Sequence, residues 1–215
     1  VCGEVLTDDK TMTYDLSCEG TGLSFGSDDV VLDCAGYDIN YSVGGNVGYG
    51  INNTGGYDNV TIKNCWVREK SATSGSNYGI YFIGVHNSTI NNTNVTTEKD
   101  YSFAIFLYTD SDYNTVTNNR LVTNDEYSHG IIISTNSEYN NVSDNTITTN
   151  ENRSFGIVLD SNSDRNTLDS NEVTTNGEIR GHGIKISGSE YNNITNNNAT
   201  TDGTQAKSLF IASSN

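Results

Sequence analysis

The chain has 215 residues, no proline, and a formal net charge of −16 from 27 acidic and 11 basic side chains. So acidic a balance argues against a nucleic-acid phosphate backbone as partner, and no apolar run approaches the length of a membrane span. Asn, Thr and Ser make up more than a third of the residues, and the aliphatic ones come in short islands without helical period, which excludes a layered α/β protein.

Read from the N-terminus, residues 1–40 form a leading segment that carries Cys2, Cys18 and Cys34, with Cys65 following soon after. No CxxC pair or Cys/His cluster offers zinc spacing, so the even count predicts two disulfides and an oxidising compartment. A start at Val-Cys-Gly suits a mature chain already cut from a signal peptide. Cys34 lies two positions after Leu32 and Cys65 three after Ile62, adjoining columns of the repeat described next. Their Cα atoms are therefore expected about 5–6 Å apart, within bridging range. The pairs expected are Cys34–Cys65 and Cys2–Cys18. Ten N-x-S/T sequons stand at Asn40, Asn52, Asn59, Asn87, Asn91, Asn94, Asn141, Asn152, Asn193 and Asn198, and they permit glycosylation.

From residue 41 to 215 the chain is a repeat. Ile62, Ile90, Val116, Val142, Leu168 and Ile194 each head an Asn-rich segment; the last five are 26 residues apart, Ile62 precedes Ile90 by 28, and Leu32 stands 30 before Ile62. Between them come islands whose alternation puts Ile80/Phe82, Ile105/Leu107, Ile131/Ile133, Ile157/Leu159, Ile184/Ile186 and Leu209/Ile211 on one face. A third short strand is marked by Val67, Val95, Leu121, Ile147, Val173 and Ala199. Three strands and three turns in each 26 residues predict an all-β fold: a single domain, 1–215, wound as a right-handed, single-stranded parallel β-helix of roughly eight coils. Stacking also accounts for the asparagines. The columns Asn119, Asn145, Asn171, Asn197 and Asn114, Asn140, Asn166, Asn192 are expected to form amide ladders at the coil spacing of about 4.8 Å.

With these features the chain resembles the right-handed β-helix repeat proteins of the pectin-lyase-like superfamily, in particular NosD-like and archaeal or bacterial surface proteins. The leading segment, with its Cys-Gly start, DLSC and VVLDCAGYDI, looks like the opening of such proteins. The resemblance implies the fold and leaves activity open, since members range from polysaccharide lyases to adhesive proteins. Gly181-His182-Gly183 resembles the GHG motif of polygalacturonases. Its column, however, reads Tyr49, Tyr78, Phe103, His129, Phe155, His182, each followed by Gly or Ala and then Ile, which makes it a repeat corner. The accompanying Asn-Thr-Asp and Arg-Ile-Lys motifs are missing, the Asp-Asp pairs Asp8-Asp9 and Asp28-Asp29 lie far upstream, and the sequence displays no Arg and Lys cluster of the kind a lyase sets beside a uronate.

One column is acidic: Asp28, Asp58, His86, Asp112, Glu138, Asp164, Glu190. Like charges at coil spacing are unfavourable, so Asp112, Glu138, Asp164 and Glu190 are candidate ligands for Ca²⁺, against the alternative of a solvated ridge and no cofactor. Copper is poorly served by one Met, three scattered His and oxidised Cys. No catalytic residue is assigned. The reading reached is a secreted or cell-surface structural protein, a non-catalytic rod without nucleic-acid partner or membrane span. SLFIASSN starts a last coil without completing it, so Leu209 and Ile211 are expected to pair head-to-tail with further copies, building a filament, sheath or surface layer, or with another surface protein. The alternatives are a metal- or glycan-binding module, the latter through Tyr113, Tyr139 and Tyr191, and a polysaccharide-degrading enzyme using Asp110/Asp112 or Asp160/Asp164.

Overall fold

The computed structural model describes residues 1–70 and 75–212; the last three residues of the tail SLFIASSN lie outside them. The described residues form twenty-five strands of two to four residues and no helix. Each coil contributes one strand to each of three parallel sheets of nine, eight and eight strands, in which every strand pairs with its equivalents one coil away. The result is the right-handed parallel β-helix of about eight coils that the 26-residue period predicts, with the ninth strand of the first sheet, Leu209–Ala212, beginning a further turn.

Register follows the apolar columns. Ile62 pairs with Ile90, Ile90 with Val116, Val116 with Val142, Val142 with Leu168 and Leu168 with Ile194, and Leu32 pairs with Ile62 despite the longer coil between them. In the first sheet Ile131/Ile133, Ile157/Leu159 and Ile184/Ile186 stack in the same way. These columns point inward and form one continuous core. A one-residue slip would turn each strand's apolar side chains outward, so the alternation itself enforces the register.

The polar interior is built by the same repetition. In one ladder the Asn119 backbone N–H donates to Asn145 Oδ1 at 3.0 Å, and that of Asn145 to Asn171 Oδ1 at 3.1 Å. The Asn145 side-chain amide in turn donates to Val116 O and Asn171 Oδ1, both at 2.9 Å. The second ladder runs through Asn114, Asn140, Asn166 and Asn192 with N–H to Oδ1 distances of 2.8–2.9 Å. Thr93 and Ser88 continue the two ladders toward the N-terminus, donating their N–H groups to Asn119 and Asn114. Buried peptide groups that strands leave unpaired at the corners thus find partners in side chains.

Corners turn on residues in the left-handed region, and the corner after the first sheet also uses the consecutive pairs Thr109/Asp110, Thr135/Asn136 and Ser161/Asn162. Asn64, Asn92, Asn118, Asp144, Ser170 and Asn196 serve one corner, with φ between 49° and 57°. A second uses Asn59 and Asn87 but then Tyr113, Tyr139, Arg165 and Tyr191; the third uses Tyr101, Tyr127, Arg153, Arg180 and Gln205. Tyr and Arg gain little locally in that conformation, which costs them about 1–2 kcal/mol each. Stacking offsets the cost: Tyr113 lies on Tyr139 and Tyr101 on Tyr127, each with ring centroids 4.9 Å apart. At the entry to the first sheet a Cβ on Gly156 would come within 2.6 Å of Gly183 O, and from Gly22 to Gly183 the column holds Gly in every coil but that of Ala104.

The disulfides join Cys2 to Cys18 and Cys34 to Cys65, with Cα separations of 5.3 and 4.7 Å. One column contains a misfit. Thr97, Thr123 and Thr149 each donate a hydroxyl to the carbonyl of Ser102, Ser128 or Ser154 at 2.8–3.1 Å. One coil earlier the same place is taken by Glu69, 2% exposed and paired beside Tyr41. Its carboxyl accepts the Glu98 N–H at 2.7 Å, yet burial outweighs that bond and raises its pKa to about 7.

Two outcomes are expected. Asn145→Ala removes one rung and leaves corner groups unpaired, lowering stability by about 2–4 kcal/mol in urea titrations monitored by circular dichroism. Because Glu69 binds its proton more tightly folded than unfolded, its contribution is favourable in acid and is lost as pH rises from about 4.5 to 7. Glu69→Gln should abolish that decline and be the more stable form at pH 8, by on the order of 3 kcal/mol.

Candidate functional site

The corner residues that precede the first sheet form one aromatic row. Successive centroids lie 5.7 Å apart for Tyr49–Tyr78, 5.0 Å for Tyr78–Phe103, 5.1 Å for Phe103–His129, 4.7 Å for His129–Phe155 and 5.3 Å for Phe155–His182, with planes within 13°. Phe210 closes the row on His182 at 4.5 Å. Beside its C-terminal half a groove of about 520 Å³ opens, into which four cations converge: Arg153, Arg180, Lys185 and Lys207.

These are four of only 11 basic residues in the chain. Among the described residues none of the four forms an ion pair, although Lys10, Lys63, Arg68 and Arg165 each sit against a carboxylate. The groove cations rest on neutral groups instead. Arg153 donates to the Tyr127 hydroxyl at 2.7 Å and lies over its ring, while Arg180 Nε donates to Gln205 Oε1 at 2.9 Å. Lys185 and Lys207 stand over the Phe155 and Phe210 rings at 5.0 and 5.1 Å.

Both histidines of the groove are neutral. The Phe155 N–H donates to His129 Nδ1 at 2.9 Å, and the Lys207 N–H to His182 Nδ1 at 3.1 Å. An Nδ1 that accepts a backbone proton carries none of its own, so the ring hydrogen is on Nε2. Desolvation within the stack, reinforced by Lys185, brings the His129 pKa down to about 3. Desolvation likewise lowers His182, with Lys185, Lys207 and Arg180 adding to the effect. Each imidazole is therefore a hydrogen-bond donor, and among the described residues no carboxylate lines the groove. The arrangement is suited to holding negative charge and offers no ready proton acceptor.

The structure corrects the expectation that Arg and Lys do not cluster. Arg153 and Arg180 hold equivalent corner positions, whereas Lys207 stands one coil after His182 in the aromatic column, so no shared column signals the cluster in the sequence. His182 is a corner residue, as its column indicates, and it also lines this groove.

The acidic column takes a different part. Asp28 Oδ1 accepts the Asp58 N–H at 2.8 Å, Asp58 that of His86 at 2.7 Å, Asp112 that of Glu138 at 2.7 Å and Asp164 that of Glu190 at 2.6 Å. These carboxylates cap backbone groups of the next coil, and Glu138 also pairs with Arg165 at 3.0 Å. Among the described residues no three His, Cys, Asp or Glu side chains converge as a metal site. The pairs Asp110/Asp112 and Asp160/Asp164 each have one member engaged in this capping. Tyr113, Tyr139 and Tyr191 are exposed, and Arg165 lies over the rings of Tyr139 and Tyr191 at 5.7 and 5.5 Å. Of the sequons, Asn59, Asn87, Asn141, Asn193 and Asn198 have exposed side chains; Asn40, Asn52, Asn91, Asn94 and Asn152 are half-buried. Leu209 and Ile211 are 44% and 65% exposed on the outermost described strand.

Two solved structures are similar. One is a double mutant of the periplasmic alginate epimerase AlgG, with 16% identity and a TM-score of 0.42 over 95% of this chain. The other is DFA-IIIase from Arthrobacter chlorophenolicus A6 without its lid, with 10% identity and a TM-score of 0.44 over 91%. The chain spans 62% of the length of each. No curated protein sequence matches it. Residues 7–211 match the model of a family described as periplasmic copper-binding protein (NosD). Copper donors of this chain do not assemble, however. His86 Nδ1 is bound to Asp58 at 2.9 Å, Phe155 separates His129 from His182, Met12 is in the core and all four cysteines are oxidised. The fold is a parallel β-helix and the match extends over nearly its whole length: the chain belongs to the NosD family.

Proposed function

We propose that this chain is an exported β-helix scaffold of the periplasm or cell surface that binds an anionic ligand in the cationic groove and performs no covalent chemistry on it. The observation that carries the reading is the set of four groove cations without carboxylate partners among the described residues, in a chain of net charge −16. Cations left unpaired on so acidic a protein repel one another at close range, and an anion supplied from outside relieves that repulsion. The neutral imidazoles with Nε2–H donors add directed hydrogen bonds, and the lack of a lining carboxylate favours binding over general-base catalysis.

Export is supported by the two disulfides, which need an oxidising compartment, and by a family whose description is periplasmic. The scaffold role rests on the ladders, which tie neighbouring coils together through buried side chains. Further chain and a second copy would each pair with the edge at Leu209 and Ile211 in the same way, so assembly through it forms no part of this role.

Titration with sodium sulfate and with galacturonate, followed by NMR of the imidazoles, tests the proposal. Saturable shifts of His129 and His182, with His86 unmoved and the sugar unconsumed, are expected. Absence of saturable shifts, or turnover of the sugar, would overturn it. In the same spectra His129 should remain neutral throughout pH 5–8, because its pKa lies near 3.

A further inference from the structure

The ten sequons differ in what holds them. Five are half-buried, and Asn141, Asn193 and Asn198 begin the strands Asn141–Ser143, Asn193–Thr195 and Asn198–Thr201, whose ladders keep the acceptor extended. Enzymes that modify a folded chain work best on exposed corners, where no ladder has to open first. The exposed sequons at a corner are Asn59 and Asn87, which hold the same left-handed position in successive coils, at φ 56° and 53°. The Asn59 amide is occupied, donating to the Asp29 carboxylate. The Asn87 amide has no partner among the described residues, and neither has the hydroxyl of Thr89, which completes the sequon two places on. We infer that Asn87 is the N-glycosylation site of the folded chain, and that the first sugar is a neutral pyranose resting on the ring of Tyr113.

The ring is a second, independent observation. Tyr113 stands one coil after Asn87 in the corner column and is the first aromatic residue in it. Tyr139 covers one face of Tyr113, at 4.9 Å with planes 2° apart. The other face looks along the axis toward the coil of Asn87, where the column holds only a short amide, and Tyr113 is 54% exposed. Coils lie about 4.8 Å apart, so a pyranose on Asn87 Nδ2 falls at stacking distance and continues the row that Tyr113 and Tyr139 begin. The electron-rich ring face attracts the polarised C–H groups on one side of such a sugar. The adjoining column carries Asp58, His86 and Asp112, so carboxylates stand ready to accept from sugar hydroxyls and would repel an acidic sugar.

In the transfer itself the amide nitrogen bonds to the anomeric carbon of a lipid-pyrophosphate-linked sugar, whose C–O bond breaks. The pyrophosphate leaves with the bonding pair, and the amide gives up one proton. An oligosaccharyltransferase of the export route supplies donor and catalysis and recognises the Thr89 hydroxyl; this chain supplies only the acceptor. The corner follows the first sheet, whereas the cationic groove lies at the corner that precedes it, so the inference is independent of how the groove is read.

The test incubates the folded, disulfide-intact chain with a neutral lipid-linked oligosaccharide and a single-subunit oligosaccharyltransferase that accepts any N-x-S/T, then maps the glycopeptides by mass. One glycan is expected, with occupancy of Asn87 at least tenfold above that of any other sequon. Asn87→Gln should abolish it. So should Thr89→Val, which keeps the asparagine and removes only the recognised hydroxyl, and Thr89→Ser should restore it. In NMR spectra of the glycoprotein the C–H protons of the first sugar should move upfield in the Tyr113 ring current. Tyr113→Ala should cancel that shift and leave occupancy unchanged. No modification of the folded chain, or faster modification of Asn59 or of a strand sequon, would overturn the site. Occupancy of Asn87 with sugar protons that Tyr113→Ala does not move would overturn the seat on the ring.

Discussion

In a parallel β-helix every side chain sits directly above its equivalent in the neighbouring coil, about 4.8 Å away. Each position must therefore tolerate something close to a copy of itself at van der Waals distance, and few residues do. Branched aliphatics tolerate it inside, where Ile131, Ile157 and Ile184 stack in line. Asn tolerates it at corners because its amide is both donor and acceptor, so each rung gives to one neighbour and takes from another. Phe, Tyr and neutral His tolerate it as offset stacks. The unusual composition of the chain is the set of residues that satisfy this one requirement.

Charged residues do not satisfy it, and the molecule treats its two signs differently. Asp carboxylates in the acidic column lie along the axis at the surface and accept the next coil's backbone N–H, which spends their charge on structure. A guanidinium has no acceptor to offer and cannot be disposed of in this way. Arg165 is intercalated between Tyr139 and Tyr191 and paired with Glu138. Arg153 and Arg180 occupy consecutive rungs of one corner with no such counter-charge, so the general solution fails at the groove. Places where a regular structure departs from its own rule are where function is best sought.

How much of this was legible in the sequence depended on how each feature repeats. The coils, the core columns and the Asn ladders recur at a fixed period with few allowed residue types, and reading down columns recovers them. Reading His182 in its column likewise identified it as a corner residue. The groove was hidden because it is an irregular patch on a regular frame. Its cations come from three columns, Arg153 and Arg180 from a turn, Lys185 from a strand and Lys207 from the aromatic corner, and no single column announces it. The acidic column was visible, but its purpose was not, since sequence alone cannot say whether a carboxylate faces an ion or a backbone N–H. Tyr and Arg at left-handed corners were equally invisible, their strain being offset only by neighbours one coil away.

The placement of the disulfides has a consequence for the order in which the rod comes apart. Cys2–Cys18 and Cys34–Cys65 rivet the leading coils, and no covalent tie joins any coil beyond Cys65 among the described residues. Coils that touch only their neighbours open like a zipper, and a zipper riveted at one side runs only from the other. The groove is built on the unriveted coils. An anion held among Arg153, Arg180 and Lys207 would act as a removable clasp, stiffening the half of the rod that the cysteines leave without covalent ties.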